Sequence, residues 1–217
     1  MFRVKICGIT RPADAVAAVE SGADAVGLNF CRSSPRYVTP EAAERIVDAV
    51  GGRALIVGVF VDEPPESVES IVRSLGLDAV QFSGDEPAAV ASRLPFRLLK
   101  AVRVTPGADL SAWGRYPAEA LLLDAHMPGS YGGTGRTLEW SSLPAAVSTM
   151  RGPGEEPVRW LLAGGLTAEN VFEAILAARP SGVDVASGVE SAPGIKDPRK
   201  VALFIQKAKE GLSIART

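Results

Sequence analysis

The chain has 217 residues, of which 47% are hydrophobic and 22% are charged, a composition typical of one soluble globular domain. Its 23 basic and 25 acidic side chains give a net charge of -2, so nothing points to a nucleic-acid partner or to binding at an anionic membrane. No apolar run approaches the roughly 18 residues of a transmembrane helix, and the N-terminal segment lacks the apolar core of a signal peptide, so we expect a cytoplasmic protein.

Cysteine and histidine are scarce in this sequence. The two cysteines, Cys7 and Cys31, make no disulfide framework and fit a reducing compartment. The single histidine, His126, cannot build a His-rich metal site, and no metal-ligand spacing occurs, so we expect no bound metal. Any chemistry must therefore rest on carboxylates, a thiol, Lys, Arg and backbone amides.

Short apolar, β-branched segments alternate with Ala-rich amphipathic segments along the whole chain. Eight segments have the character of strands: Phe2–Ile6, Ala25–Leu28, Ala54–Val61, Ala79–Phe82, Arg97–Val102, Ala120–Leu123, Val158–Ala163 and Gly182–Val185. Seven have helical character, several with proline in the first turn: Pro12–Ser21, Pro40–Val50, Pro65–Leu75, Pro87–Ser92, Ser142–Ser148, Thr167–Ala178 and Pro198–Gly211. Because Asp109–Tyr116 is short and interrupted by Gly114, we expect the fifth helix to be short or degenerate.

This alternation predicts an α/β protein with a parallel sheet covered by helices. Eight strand–helix units in a chain of this length favour a closed (β/α)₈ TIM barrel over an open doubly wound sheet. No linker-like stretch divides the sequence, so we expect residues 1–217 to form a single barrel domain.

Polar side chains occur at the predicted carboxyl ends of the strands, where barrels of this kind carry their active sites. They are Lys5, Cys7, Asn29, Gln81, Lys100, Arg103 and Asp124.

Cys7 is the first candidate among them. Strand alternation places Lys5 and Cys7 on one face, opposite to Phe2, Val4 and Ile6, and we expect that face to point into the barrel. A lysine ammonium beside the thiol predicts a lowered pKa for Cys7. The alternative for a cysteine is a small buried hydrophobe, and we favour that alternative only for Cys31.

Asp124 closes the apolar sixth strand and precedes a glycine-rich loop, Gly129–Arg136. A carboxylate in this position is either a loop cap or a catalytic acid or base. The loop fails as a Walker A motif because Ser130 and Arg136 stand where glycine and lysine are required, which leaves a mobile cover or a plain solvent loop. For His126, two residues past Asp124, we expect a solvated side chain rather than a catalytic one.

Small residues follow the last two predicted strands. Gly164 and Gly165 end the seventh strand, and Ser187 and Gly188 end the eighth. Barrels frequently bind a phosphate with the loops after these two strands and a short helix N-terminus. The two segments together predict a phosphorylated substrate.

Motifs along nearly the whole chain, in order, resemble the phosphoribosylanthranilate isomerase family. They are Lys5-Ile-Cys-Gly-Ile-Thr, Asn29-Phe with Ser34-Pro-Arg-Tyr, Gly58-Val-Phe-Val, Leu122-Leu-Asp, Gly132-Gly-Thr-Gly, Leu162-Ala-Gly-Gly-Leu and Ser187-Gly-Val-Glu. The resemblance implies that Cys7 is the general base, Asp124 the general acid and Arg36 a contact to the anthranilate carboxylate. The family usually has a histidine where this chain has Ser83.

The reaction that the resemblance implies is an Amadori rearrangement of N-(5-phosphoribosyl)anthranilate in tryptophan biosynthesis, with a small phosphosugar substrate and no cofactor. One alternative is a histidine-pathway or bifunctional phosphoribosyl isomerase. Those enzymes resemble this fold, but they have an aspartate at the position of Cys7 and need two phosphate sites. Another is a barrel that binds a phosphosugar without catalysis. The sequence leaves open whether the protein is a monomer or a homodimer.

Overall fold

A computed structural model describes residues 2–105, 107–124 and 140–215. Within them, eight parallel strands follow one another around a closed barrel, and the last strand pairs with the first. The strands are β1 (Val4–Cys7), β2 (Ala25–Asn29), β3 (Leu55–Phe60), β4 (Ala79–Phe82), β5 (Leu98–Arg103), β6 (Ala120–Asp124), β7 (Trp160–Ala163) and β8 (Gly182–Val185). The predicted parallel eight-stranded barrel is confirmed.

Helices lie on the outside of the barrel, between successive strands and, in the case of the last helix, after β8. They are α1 (Pro12–Glu20), α2 (Pro40–Val50), α3 (Pro65–Leu75), α4 (Ala88–Ala91), α5 (Leu143–Val147), α6 (Val171–Ala178) and α7 (Pro198–Ile214). Proline in the first turn opens five of them, since its missing N–H has no partner there in any helix. The connection after β5 holds only a 3₁₀ helix, Ser111–Arg115, as expected for the degenerate fifth unit.

Side chains of the strands alternate between the outer face of the sheet and the interior of the barrel. Val4 and Ile6 face outward into the core between strands and helices. The opposite face contributes a smaller cluster inside the barrel: Phe2, Ala25, Val57, Ala79, Leu99, Ala120 and Leu161. We call this cluster the lower layer, because it lies toward the amino ends of the strands.

Phe2 corrects the sequence prediction, which placed it on the outer face with Val4 and Ile6. The structure places Phe2 in the lower layer instead. Strand β1 begins only at Val4, and the chain bends at Arg3, so strand alternation does not extend back to Phe2.

A β-hairpin between β8 and α7 was not predicted. It follows a 3₁₀ turn, Ser187–Val189, and consists of β9 (Glu190–Ala192) and β10 (Ile195–Lys196), paired antiparallel. Gly194 has a φ of 79°, which fits a glycine in the turn between the two strands. The amide of Lys196 donates to the Asp14 carboxylate of α1, which ties the hairpin to the body of the barrel.

None of the helices in residues 2–105, 107–124 and 140–215 is both long and apolar enough to cross a membrane.

Candidate active site

A cavity of about 560 Å³ lies at the carboxyl ends of the barrel strands, within the usual size range of small-molecule sites. Four charged side chains and two glycine-containing turns line it: Arg36, Arg103, Asp124, Asp184, Gly164–Gly165 and Ser187–Gly188. The barrel thus brings the predicted carboxylate-binding arginine, the predicted acid and the predicted phosphate turns to one opening, although they come from four different parts of the chain.

Cys7 ends β1 and is 8% exposed, and it is not among the residues that line the cavity. Space for its thiol comes from Gly27 on the neighbouring strand, which pairs with Cys7 in the sheet register. A Cβ on Gly27 would lie 2.8 Å from Cys7 Sγ and 3.1 Å from Lys5 Cε. Sequence reasoning missed Gly27, because only the register shows that its missing side chain faces the thiol and the lysine.

Lys5 is fully buried inside the barrel, two residues before Cys7 on the same face. Its Nζ donates to Asp184 Oδ1 at 2.7 Å and to Gln81 Oε1 at 2.9 Å, and Gln81 in turn donates to Ser83 Oγ at 3.0 Å. Burial lowers the pKa of Lys5, but attraction to Asp184 and Cys7 more than offsets it and leaves that pKa raised. Lys5 is therefore an ammonium at neutral pH.

The predicted lowering of the Cys7 pKa was wrong. Burial raises the pKa of the thiol, and Asp184 raises it further, whereas Lys5 and Lys196 lower it without reversing the shift. The sequence prediction considered the neighbouring lysine but not the loss of water around the thiol. Cys7 is therefore mainly a thiol at neutral pH.

Arg36 follows β2 and extends over Gly8, whose φ of 71° is favourable for glycine and where a Cβ would collide with the arginine side chain. Its guanidinium forms a side-on pair with Glu190, from Nε to Oε1 at 2.8 Å and from Nη2 to Oε2 at 2.7 Å. This contact raises the pKa of Arg36. Sequence reasoning quoted Glu190 only within a motif and gave it no role.

Asp124 ends β6 beside Arg103 and Ala163 in the sheet register, and its half-buried side chain lines the cavity. Lys100, another polar residue noted at the strand ends, does not belong to the site. It faces outward, where its Nζ pairs with Glu86 Oε2 at 2.7 Å. The register explains this, since Lys100 alternates with the inward-facing Leu99.

The turns after β7 and β8, where the sequence predicts a phosphate site, contain glycines in conformations or contacts that other residues would not allow. Gly164 and Gly165 have φ values of 84° and 66°, conformations that favour glycine. A Cβ on Gly188 would collide with the Leu166 carbonyl, so the two turns pack directly against each other. Ser187 opens the short 3₁₀ turn, and the first amides of such a turn have no partner within it.

His126 and the Gly129–Arg136 loop lie outside the described residues. In the part of the chain that the structure describes, no cluster of three or more His, Cys, Asp or Glu side chains could hold a metal ion.

The chain matches the family model of N-(5'-phosphoribosyl)anthranilate isomerase over residues 4–207. It is 47% identical to the enzyme of that name from Trichlorobacter lovleyi, over 98% of this chain and all of the relative. The crystal structure of phosphoribosyl anthranilate isomerase from Thermotoga maritima superposes with a TM-score of 0.84 at 42% identity, over 97% of this chain and all of that one.

A second solved structure is a phosphoribosyl anthranilate isomerase in complex with reduced 1-(o-carboxyphenylamino)-1-deoxyribulose 5-phosphate. It superposes with a TM-score of 0.83 at 39% identity and covers 97% of this chain and all of that one. The chain therefore belongs to the N-(5'-phosphoribosyl)anthranilate isomerase family.

Proposed function

We propose that this protein isomerises N-(5'-phosphoribosyl)anthranilate to 1-(2-carboxyphenylamino)-1-deoxyribulose 5-phosphate without a cofactor. The observation that carries the proposal is the joint placement of Arg36, Asp124 and the two glycine-containing turns around one cavity. Cys7, at the carboxyl end of β1, interacts electrostatically with Asp184 of the cavity lining. The relatives described above bear the name of this isomerase, and none bears that of the histidine-pathway enzyme considered as an alternative.

Each end of the substrate is assigned to a different group of residues that line the cavity. The sugar phosphate is assigned to the amides of Gly165, Ser187 and Gly188, since backbone N–H groups at such turns suit a phosphate. The anthranilate carboxylate is assigned to Arg36, because a guanidinium offers a planar fork that matches a carboxylate. Asp124 and Cys7 are then assigned to the reacting part of the substrate between these two anchors.

In the first step Asp124 donates a proton to the ribose ring oxygen. The C1–O bond breaks, and the nitrogen lone pair forms the protonated Schiff base at C1. Cys7, in the thiolate form that Lys5 favours and that is the minority form at neutral pH, then takes the proton from C2. The electron pair forms the C1–C2 double bond of an enolamine, which tautomerises to the C2 ketone. C1 is reduced and C2 oxidised within one molecule, so no external redox partner is needed, which makes the protein an intramolecular oxidoreductase.

Lys5 supports the base in this scheme. Its ammonium lies beside Cys7 and favours the thiolate, while Asp184 and Gln81 fix its position. The proposed site thus contains one acid, one base and two groups that anchor the substrate. A general acid or base typically accelerates a reaction by about 10²- to 10⁴-fold.

A fluorescence assay tests the proposal, because the anthranilate group of the substrate reports directly on its conversion. The parent protein is expected to consume N-(5'-phosphoribosyl)anthranilate with no added metal or cofactor. Asp124→Asn, which keeps the shape of the side chain but removes the proton source, is expected to lose on the order of 10²-fold or more in kcat. A parent protein that binds the substrate without converting it would instead support a non-catalytic phosphosugar-binding barrel.

We further propose that residues 1–217 act as one cytoplasmic domain, as a monomer or homodimer, with the phosphosugar as the partner and neither nucleic acid nor membrane involved. Size-exclusion chromatography with light scattering gives the oligomeric state. Elution as a higher oligomer would contradict this part of the proposal.

A further inference from the structure

The Glu190 carboxylate is almost completely buried and is shared by two cations. It accepts the side-on pair from Arg36, and its Oε1 also accepts Lys196 Nζ at 2.8 Å. Burial raises the pKa of Glu190, but the hydrogen bonds from Arg36 and Lys196 outweigh it and leave that pKa lowered. Glu190 is therefore an anion at neutral pH, with a cation on either side.

The side-on pair leaves the outer end of the Arg36 guanidinium available. A guanidinium has five N–H donors in a fixed plane, and this pair uses the Nε donor and one Nη2 donor. The remaining Nη2 donor and the two Nη1 donors include the end-on fork, which can bind a second carboxylate in two-point contact. Within residues 2–105, 107–124 and 140–215, Nη1 has no hydrogen-bond partner, and Arg36 lines the cavity.

The segment that carries Glu190 begins directly after the phosphate turn and is firmly attached. Lys196 Nζ, besides binding Glu190, donates to the carbonyl of Ala186, the residue that precedes Ser187. Lys200 Nζ donates to the backbone carbonyl of Glu190 at 2.9 Å. One short hairpin thus links the Arg36 guanidinium to the turn at Ser187–Gly188, and both line the cavity.

We propose that Glu190 is a positioning residue, which holds Arg36 so that its end-on fork faces the carboxylate of the substrate at a set distance from the phosphate turn. The inference rests on the proposed function for the identity of that carboxylate. Arginine has several rotatable bonds, and fixing them on substrate binding costs entropy. The pair with Glu190 fixes the guanidinium plane before the substrate arrives.

The test compares two substrates that differ only in the carboxylate: N-(5'-phosphoribosyl)anthranilate and N-(5'-phosphoribosyl)aniline. Glu190→Gln keeps the shape of the side chain but replaces the two-oxygen acceptor by an amide. Because hydrogen bonds to charged groups are worth about 1.5–3 kcal/mol, we expect KM for the anthranilate substrate to rise about tenfold or more, with a smaller change in kcat. KM for the aniline substrate is expected to stay the same.

Glu119→Gln is the matched control. Glu119 forms the same side-on pair with Arg97, from Nε at 2.8 Å and from Nη2 at 2.9 Å, but at the amino ends of β5 and β6, away from the cavity. This variant is expected to leave both KM values at those of the parent.

The inference is overturned if Glu190→Gln changes both KM values equally or changes neither, since a general disturbance of the site affects both substrates. If Glu190→Gln does not fold, Glu190→Asp keeps the charge but withdraws it by one methylene, and the same selective rise in KM, by a smaller factor, is expected. If the parent converts the anthranilate substrate but the Glu190 variants show no selective rise in KM, only this inference is refuted. Failure of the parent to convert either substrate refutes the proposed function.

Discussion

The interior of the barrel contains two layers that differ in polarity although the same strands build both. The lower layer is wholly apolar. The layer above it, which we call the upper layer, contains the hydrogen-bonded network of Lys5, Gln81 and Asp184. On β4, Ala79 belongs to the lower layer, and Gln81, two residues later on the same face, to the upper one.

The difference between the layers indicates a division between stability and activity: one layer stabilises the fold and the other serves the activity. Burying apolar surface stabilises the fold, while a buried ion pair is weak support for stability because of its desolvation cost. We therefore expect changes in the lower layer to affect stability and changes in the upper layer to affect activity. The variants below test this division, starting with the largest expected effect.

Cys7 follows Lys5 of the upper layer by two residues, on the same face of β1. Cys7→Ser keeps the size of the side chain but replaces the thiol by a hydroxyl that does not ionise usefully. We expect kcat to fall on the order of 10²-fold or more, since a general base is typically worth 10²- to 10⁴-fold. The melting temperature and the affinity for a product analogue should stay close to those of the parent. Cys31→Ser is the control and should be fully active. A fully active Cys7→Ser enzyme would show that the thiol is ordinary packing.

In the lower layer, Leu161→Ala removes a completely buried side chain from β7. We expect the free energy of unfolding to fall by about 2–5 kcal/mol, the usual cost of a buried Leu-to-Ala cavity. Urea denaturation measures it, and kcat and KM of the folded fraction should not change. Leu203→Ala, on the exposed face of α7, is the control. A large loss of kcat with unchanged stability would contradict the division between layers.

At the rim above both layers, Arg36→Lys keeps the charge but loses the planar fork. KM for N-(5'-phosphoribosyl)anthranilate is expected to rise about tenfold, as for the loss of one charge-assisted hydrogen bond, with the free energy of unfolding less affected. Steady-state kinetics and urea denaturation measure the two quantities. Unchanged kinetics would remove Arg36 from substrate recognition.

The raised pKa of Cys7 predicts how its reactivity depends on pH. Because burial holds this pKa above the ordinary thiol value of 9.0, alkylation of Cys7 by iodoacetamide should accelerate as the pH rises through and beyond 9.0. Peptide mass spectrometry follows the modification, and product should protect the residue. A rate that already levels off near neutral pH would mean that Lys5 outweighs burial, as the sequence first indicated.

The smallest effect concerns Glu190 and stability. Its folded-state pKa is lowered, so its ionisation contributes stability that is present above the unfolded-state pKa and is lost as the pH falls through the folded-state pKa. Glu190→Gln should therefore be less stable than the parent at neutral pH, and the gap should shrink in acid. Urea denaturation of the parent and the variant, at neutral pH and in acid, measures this difference in the free energy of unfolding. A gap that does not depend on pH would contradict ionic stabilisation by Glu190.

Periodicity along the chain was sufficient to predict the barrel and the strand ends that build the site. Lys5 and Cys7 alternate with Val4 and Ile6 within one strand, and proline marks the beginning of five helices, so these features depend on neighbours a few residues apart. The resemblance then supplied roles for Cys7, Asp124 and Arg36, which await the experiments above.

Contacts between distant residues were decided only by the closed barrel. Arg36 and Glu190 are 154 residues apart, and Lys5 and Asp184 are 179 apart, and no local pattern says that their side chains meet. The same is true of Gly27 opposite Cys7, of Glu86 as the partner of Lys100 and of the raised pKa of the thiol. Local sequence determines which way a strand residue faces, but its partners and its burial depend on which strands closure of the sheet brings alongside it.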